Sequence, residues 1–196
     1  VQYTILQSGT GFSGGVKVSA YVYGDPIYVT VTPQATGKAP VKKARTLNTP
    51  QVGQMAIYEG DRQLTDAQTV TSGKELTFTI DTAKANLEKG RHTLTAKFVG
   101  SQNMAAQAET VQVYIRQAAI ARADVAVAGE SFTYTGSPIT PAVSVTLKNT
   151  QLVEGRDYTL AYTDHTNAGT ATVTVTGIGN YIGTAKKPLS SARQRP

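Results

Sequence analysis

Thr170-Ala171-Thr172-Val173-Thr174-Val175-Thr176-Gly177 alternates aliphatic and hydroxyl side chains without a break. Successive side chains of a strand point to opposite faces, so this period places Ala171, Val173 and Val175 together and the threonines behind them. Branching at Cβ stiffens χ1 and suits a pleated, half-buried surface better than a helix. One apolar face and one hydroxyl-bearing face predict a strand of an antiparallel sheet, buried on one side and wet on the other.

The same period recurs in both directions. Ile27, Val29 and Val31 alternate with Tyr28 and Thr30, and Leu76, Phe78 and Ile80 with Thr77 and Thr79. Leu94, Ala96 and Phe98 alternate with Thr95 and Lys97, and Val111, Val113 and Ile115 with Gln112 and Tyr114. Further on come Val143, Val145 and Leu147, then Tyr158, Leu160 and Tyr162. Turn-forming clusters separate these runs, among them Gly24-Asp25-Pro26, Glu59-Gly60-Asp61, Ser72-Gly73-Lys74, Gly136-Ser137-Pro138 and Glu154-Gly155-Arg156. Short strands spaced by such turns predict an all-β sandwich or barrel. The one helix-like stretch, Thr82 to Lys89, is expected to form a short helical turn capped by Asp81 and closed by Gly90.

A chain of 196 residues has room for two domains of ordinary size. The alternation ends at Ile115-Arg116 and restarts near Val125, which predicts a boundary near residue 120: one module over 1–120, a shorter one over 121–190 and a disordered tail over 191–196. Residues 1–15 read as a leader or a first strand. The modules open alike, with Tyr23-Gly-Asp-Pro-Ile27 before Val29-Thr-Val-Thr32 and Tyr134-Thr-Gly-Ser-Pro-Ile139 before Val143-Ser-Val-Thr146. Such an echo is the mark of tandem units.

The chain contains no cysteine and no tryptophan. Disulfides and thiolate metal sites are therefore excluded, as is the tryptophan-centred core of antibody domains. The net charge of +6 gathers at Lys38, Lys42, Lys43 and Arg45 and at Lys186, Lys187, Arg193 and Arg195. Neither run interleaves aromatic residues, so both are read as solvated loops and ends rather than as a nucleic-acid surface. No stretch is apolar enough to span a membrane as a helix. The start at Val1, without an apolar leader, predicts a segment of a longer protein.

Two resemblances follow from particular residues. Tyr23-Gly-Asp-Pro-Ile-Tyr-Val-Thr-Val-Thr32, Met55-Ala-Ile-Tyr-Glu-Gly-Asp61 and Leu87-Glu-Lys-Gly-Arg-His-Thr-Leu-Thr-Ala-Lys-Phe98 resemble a bacterial Ig-like domain (group-3 type) repeated in surface proteins. Tyr134-Thr-Gly-Ser-Pro-Ile-Thr-Pro141, Leu152-Val-Glu-Gly-Arg-Asp-Tyr158 and the run from Asn167 to Thr184 resemble a short Ig-like repeat of Gram-positive surface proteins. The resemblance implies two tandem immunoglobulin-like antiparallel β-sandwich modules. It also implies a non-catalytic structural or adhesive role in a cell-surface or secreted bacterial protein, and it carries over no catalytic, metal or cofactor residue. Some surface domains of this kind hold a Lys–Asn isopeptide bond, but no motif here pairs the residues for one.

Other motifs are weaker. Gly9-Thr-Gly11-Phe-Ser-Gly14 fits a dinucleotide fingerprint, yet the β-rich Val16–Tyr23 follows where a helix is needed. Gly11-Phe-Ser13-Gly-Gly15 fits a nucleophile elbow with the same defect. His92 is in phase with a strand, and Asp164, His165 and Asn167 read as a hairpin loop rather than as metal ligands. Tyr58, Tyr114 and Tyr181 are candidates for outward aromatic contacts with sugar or peptide. The expectation is a monomeric, non-enzymatic segment without cofactor, whose partners are host or wall glycans or other surface proteins. The alternative is a carbohydrate-binding accessory module.

Overall fold

The computed structural model describes residues 9–12, 16–19, 21–36, 52–71, 73–99, 106–129, 132–133, 137–163 and 170–192. These residues form an all-β structure of mainly antiparallel sheets, with a single 3-10 turn at Ile120–Arg122. The chain divides into two compact units, one of Val1–Tyr21 with Asp25–Ile115, the other of Arg116–Pro196 with Val22–Gly24.

In the first unit Pro26–Val31 lies between Lys17–Ser19 and Leu76–Asp81, antiparallel to both. A second sheet runs Gln107–Ile115, Gly90–Val99, Val52–Glu59, and Arg62–Gln63 and Gln68–Thr71 also pair with the last of these. Register aligns the apolar faces. Ile27 lies opposite Ile80 and Val29 opposite Phe78 in one sheet, and Met55 opposite Phe98 and Ile57 opposite Ala96 in the other. All eight are essentially without exposure. Gly53 sits where any side chain would run into the Phe98 ring, so its lack of a Cβ is what lets that ring fill the interior.

The expected short helical turn over Thr82–Lys89 is a single hydrogen-bonded turn, the Ala85 N–H reaching the Asp81 carbonyl at 2.9 Å. Asp81 does cap it, its Oδ1 accepting the N–H groups of Ala83 and Lys84 at 3.1 Å each. The chain then leaves helical geometry: Asn86 has a φ of 52° and the Leu87 N–H reaches back to the Thr82 carbonyl at 2.8 Å. Leu87, which follows the turn, is fully buried. Gly90 is the first residue of the next strand rather than a cap.

In the second unit Thr170–Gly177 is central, pairing with Tyr158–Thr163 on one side and Thr184–Ala192 on the other. Phe132–Thr133 adds a short parallel partner at Ser191–Ala192. A three-stranded sheet of Asp124–Val127, Val143–Leu147 and Thr150–Gln151 supplies the other apolar face. Ile120, Val125, Val145, Leu147, Tyr158, Val175 and Tyr181 belong to the larger core cluster, and Ala171, Val173 and Leu189 to a smaller one. Val22 and Tyr23 pack on the larger cluster, the Tyr23 N–H donating to the Arg116 carbonyl at 2.9 Å and its ring meeting Tyr181 edge to face at 5.7 Å.

Gly177 ends the central strand at a crowded point. A Cβ there would lie 2.8 Å from the backbone nitrogen of Ile182, an atom that cannot swing aside. Gly177→Ala should therefore cost the second unit about 1–3 kcal/mol, seen as a lower urea midpoint. An unchanged midpoint would show that the Ile178–Tyr181 turn relaxes freely.

Candidate functional site

Several residues singled out by the sequence are placed by the structure. Gly9 and Gly11 lie in the strand Gly9–Phe12, antiparallel to Pro33–Thr36, so they do not form the strand-to-helix turn that holds a pyrophosphate. Ser13, Gly14, Gly15, Asp164, His165 and Asn167 fall outside the described residues, as do Lys38, Lys42, Lys43, Arg45, Arg193 and Arg195. Lys186 and Lys187 are exposed on Thr184–Ala192.

The three tyrosines separate. Tyr181 is corrected from an outward to a core residue: it is 6 % exposed, and burial pushes its phenol up to about 12. Tyr58 has the Lys97 ammonium 4.5 Å over its ring and donates its hydroxyl to Gln63 Oε1 at 3.0 Å, so that face is already covered. Tyr114 is 62 % exposed, on the strand that ends the larger sheet. Sequence reasoning passed over Tyr28, which is 42 % exposed on the outer face of the smaller sheet. Its even position between Ile27 and Val29 was the available signal.

Among the described residues, two polar clusters stand out, one in each unit, each setting an exposed arginine against a more shielded carboxylate. In the first, the Glu59 carboxylate at the end of Val52–Glu59 meets His92 Nδ1 at 2.5 Å and Arg62 Nη2 at 2.6 Å. His92 Nε2 faces the Glu88 carbonyl at 2.7 Å, and Arg62 Nη1 donates to the Ala85 carbonyl at 2.5 Å. Both imidazole nitrogens thus lie within hydrogen-bonding distance of an oxygen. Burial pushes the Glu59 carboxyl up, but His92 and Arg62 together outweigh it and hold the group below the usual carboxylate range. The cluster ties the Gly60 hairpin to the Thr82–Asn86 turn.

In the second unit, Asp157 is 6 % exposed. Its Oδ2 accepts the Val153 N–H at 2.9 Å, and Arg156 clasps both oxygens, Nε to Oδ1 at 3.0 Å and Nη2 to Oδ2 at 2.7 Å. Burial pushes this carboxyl up too, and the guanidinium and the backbone donor overcome that and lower it. The Asp157 carbonyl also accepts the Ile178 N–H at 2.9 Å, so one residue shapes its own turn and receives the next. Neither cluster places a nucleophile beside a base. Among the described residues, no group of three His, Cys, Asp or Glu side chains converges as a metal centre.

Among the described residues are two grooves that each lie within one unit. One, of about 520 Å³, is lined by Gln63, Thr65, Asp66, Gln68, Thr77 and Thr79. The other, of about 370 Å³, lies between Asp124–Val127 and Thr184–Ala192, lined by Val125, Val127, Phe132, Lys187, Pro188 and Leu189.

No family model, curated protein or solved structure matches this chain. Assignment of a role therefore rests on the residues and their geometry.

Glu59 and Asp157 both have folded pKa values below their ordinary ones, about 4.3 and 3.9. Each thus contributes stability in full above those ordinary values and loses it as pH falls through the lower folded value. Titrated from pH 6 to pH 2, Glu59→Gln should flatten the acid loss of amide protection in the first unit, and Asp157→Asn that in the second. Parallel profiles for variant and parent would remove these carboxylates as the acid-sensitive groups. Asp157→Ala, which strands the Val153 N–H, should cost about 1–3 kcal/mol at neutral pH.

Proposed function

We propose that this chain is a non-catalytic structural and adhesive segment of a bacterial cell-surface or secreted protein, of the Gram-positive kind, built from two immunoglobulin-like modules acting as stalk or interaction units. Its main support is the use made of polar chemistry. The Glu59–His92–Arg62 and Asp157–Arg156 clusters are each spent on fixing turns, with their partners supplied by backbone and neighbouring side chains. Among the described residues, the buried side chains other than Asp157 are hydrocarbon apart from the Thr82, Tyr158 and Tyr181 hydroxyls and the Met55 thioether. The resemblance of the Leu87–Phe98 and Asn167–Thr184 runs to surface-protein repeats points the same way.

The mechanism is mechanical. Gly90–Val99 is laddered by Gln107–Ile115 over residues 90–98 and by Val52–Glu59 over residues 94–99, and Thr170–Gly177 by two neighbours in the second unit. Tension along a strand held on both sides loads many hydrogen bonds at once, so such a unit extends only after concerted rupture. A spacer with these properties, free of reducible bonds, keeps its length whatever the redox state outside the cell. Partners in this reading are glycans or other surface proteins met at the outer faces.

Antibodies raised against the purified segment should label intact cells of its source, and protease treatment of those cells should remove the label. Labelling that needs permeabilised cells would overturn the assignment.

A further inference from the structure

The outer face of the smaller sheet of the first unit has a composition its strands do not need. Tyr28 stands near the middle of the central strand Pro26–Val31, with Thr79 as its cross-strand neighbour on Leu76–Asp81. The next pair on that face is Thr30 with Thr77, whose hydroxyls lie 3.0 Å apart. Thr77 and Thr79 also form one wall of the groove of about 520 Å³, whose other wall is the loop carrying Gln63, Thr65, Asp66 and Gln68. An exposed aromatic ring and a polar groove are therefore contiguous, joined through Thr79.

The polar groups of the groove fall into two sets. Gln63 and Thr65 are occupied, Gln63 with Tyr58 and the Thr65 carbonyl, and the Thr65 hydroxyl with the Ile57 N–H at 3.1 Å. Among the described residues, the Asp66 carboxylate, the Gln68 amide and the Thr79 hydroxyl have no side-chain partner within the molecule. The occupied pair holds the loop in place, and the free trio presents a carboxylate, an amide and a hydroxyl to whatever enters.

That set suits a particular chemistry. A carboxylate and an amide accept from and donate to vicinal hydroxyls, and the face of a tyrosine takes the C–H face of a pyranose ring. The one charged group of the lining is negative, so a phosphate, sulfate or uronate would meet repulsion. A protein partner would want a desolvated apolar centre, whereas this lining is threonine, glutamine and aspartate around a single leucine, Leu64. The groove is open, which fits an internal stretch of a chain of sugars rather than a chain end.

We propose that the Tyr28 face and the adjoining groove bind neutral polysaccharide, one ring stacking on Tyr28 while Thr79, Gln68 and Asp66 take the hydroxyls of its neighbours. The site goes beyond the stalk role and does not depend on it, since cell-surface labelling and sugar binding are read separately.

The test is an NMR titration of the full chain with three neutral hexasaccharides, of β-1,4-glucose, β-1,4-N-acetylglucosamine and α-1,6-mannose, with a heparin hexasaccharide alongside. At least one neutral sugar should shift the amides of Tyr28, Gln68 and Thr79 at millimolar concentration, with the shifts retained in high salt. Tyr28→Ala should weaken that binding by up to about tenfold, the value of one aromatic contact. Asp66→Asn should weaken it by about threefold, and both variants should keep the parent's urea midpoint because both side chains are at the surface. No shift at these amides with any neutral sugar, equal binding by Tyr28→Ala, or a response to heparin alone would each overturn the proposal.

Discussion

With no thiol anywhere in the sequence, each unit is held by the burial of one face of every major strand and by the ladders that keep those faces in line. Removing a large aliphatic or aromatic side chain from water is worth about 1.5–3 kcal/mol, so residues such as Ile27, Phe78, Met55, Ile57 and Leu94 supply the bulk of what opposes chain entropy. Burial on a period of two is also unforgiving. Slipping Thr170–Gly177 by one residue against either neighbour would turn Val173 and Val175 to water and bring three threonines into the core. Register, sheet order and the position of every turn depend on that alternation.

Much of the fold was therefore legible. The alternating runs at 27–31, 76–80, 94–98, 111–115, 143–147 and 170–176 are all strands, because each has a face to bury and a face to wet. Residues governed by contacts between distant parts of the chain were not. Leu87 reads as part of a helix because its neighbours favour one, yet the chain leaves helical geometry at Asn86 and Leu87 is buried in the core. Tyr181 reads as an outward aromatic, and one of the rings that packs against it, Tyr23, lies far away in the sequence. Gly53 carries no local turn signal at all, and its role is evident only beside Phe98.

The candidate sites were legible in proportion to how far they rest on local pattern. The outward direction of Tyr28 follows from the strand alone. That Thr79 joins it to a groove, and that Asp66 and Gln68 face into that groove, requires the pairing of Pro26–Val31 with Leu76–Asp81 and the fold of the loop after Arg62–Gln63. Glu59, Arg62 and His92 likewise show no motif, being gathered by a hairpin and by a strand that pairs with it. The motifs that did look functional, around Gly9–Gly15, depended on a helix that the β-rich sequence after them does not provide.

Pro188 has a bearing on crowding. It sits opposite Thr172 in the strand Thr184–Ala192, after Lys186 and Lys187, and among the described residues only Ser191 and Ala192 of that strand have a second neighbour. Since proline has no N–H to give Thr172, its nitrogen marks the outer side, where it deletes a donor from the row that another chain would use as a template. Two lysines add charge to the same edge, which further discourages strand-to-strand stitching between copies. Along this one edge, strand-to-strand stitching in a dense array of molecules is thus interrupted, a colloidal safeguard written into three consecutive residues.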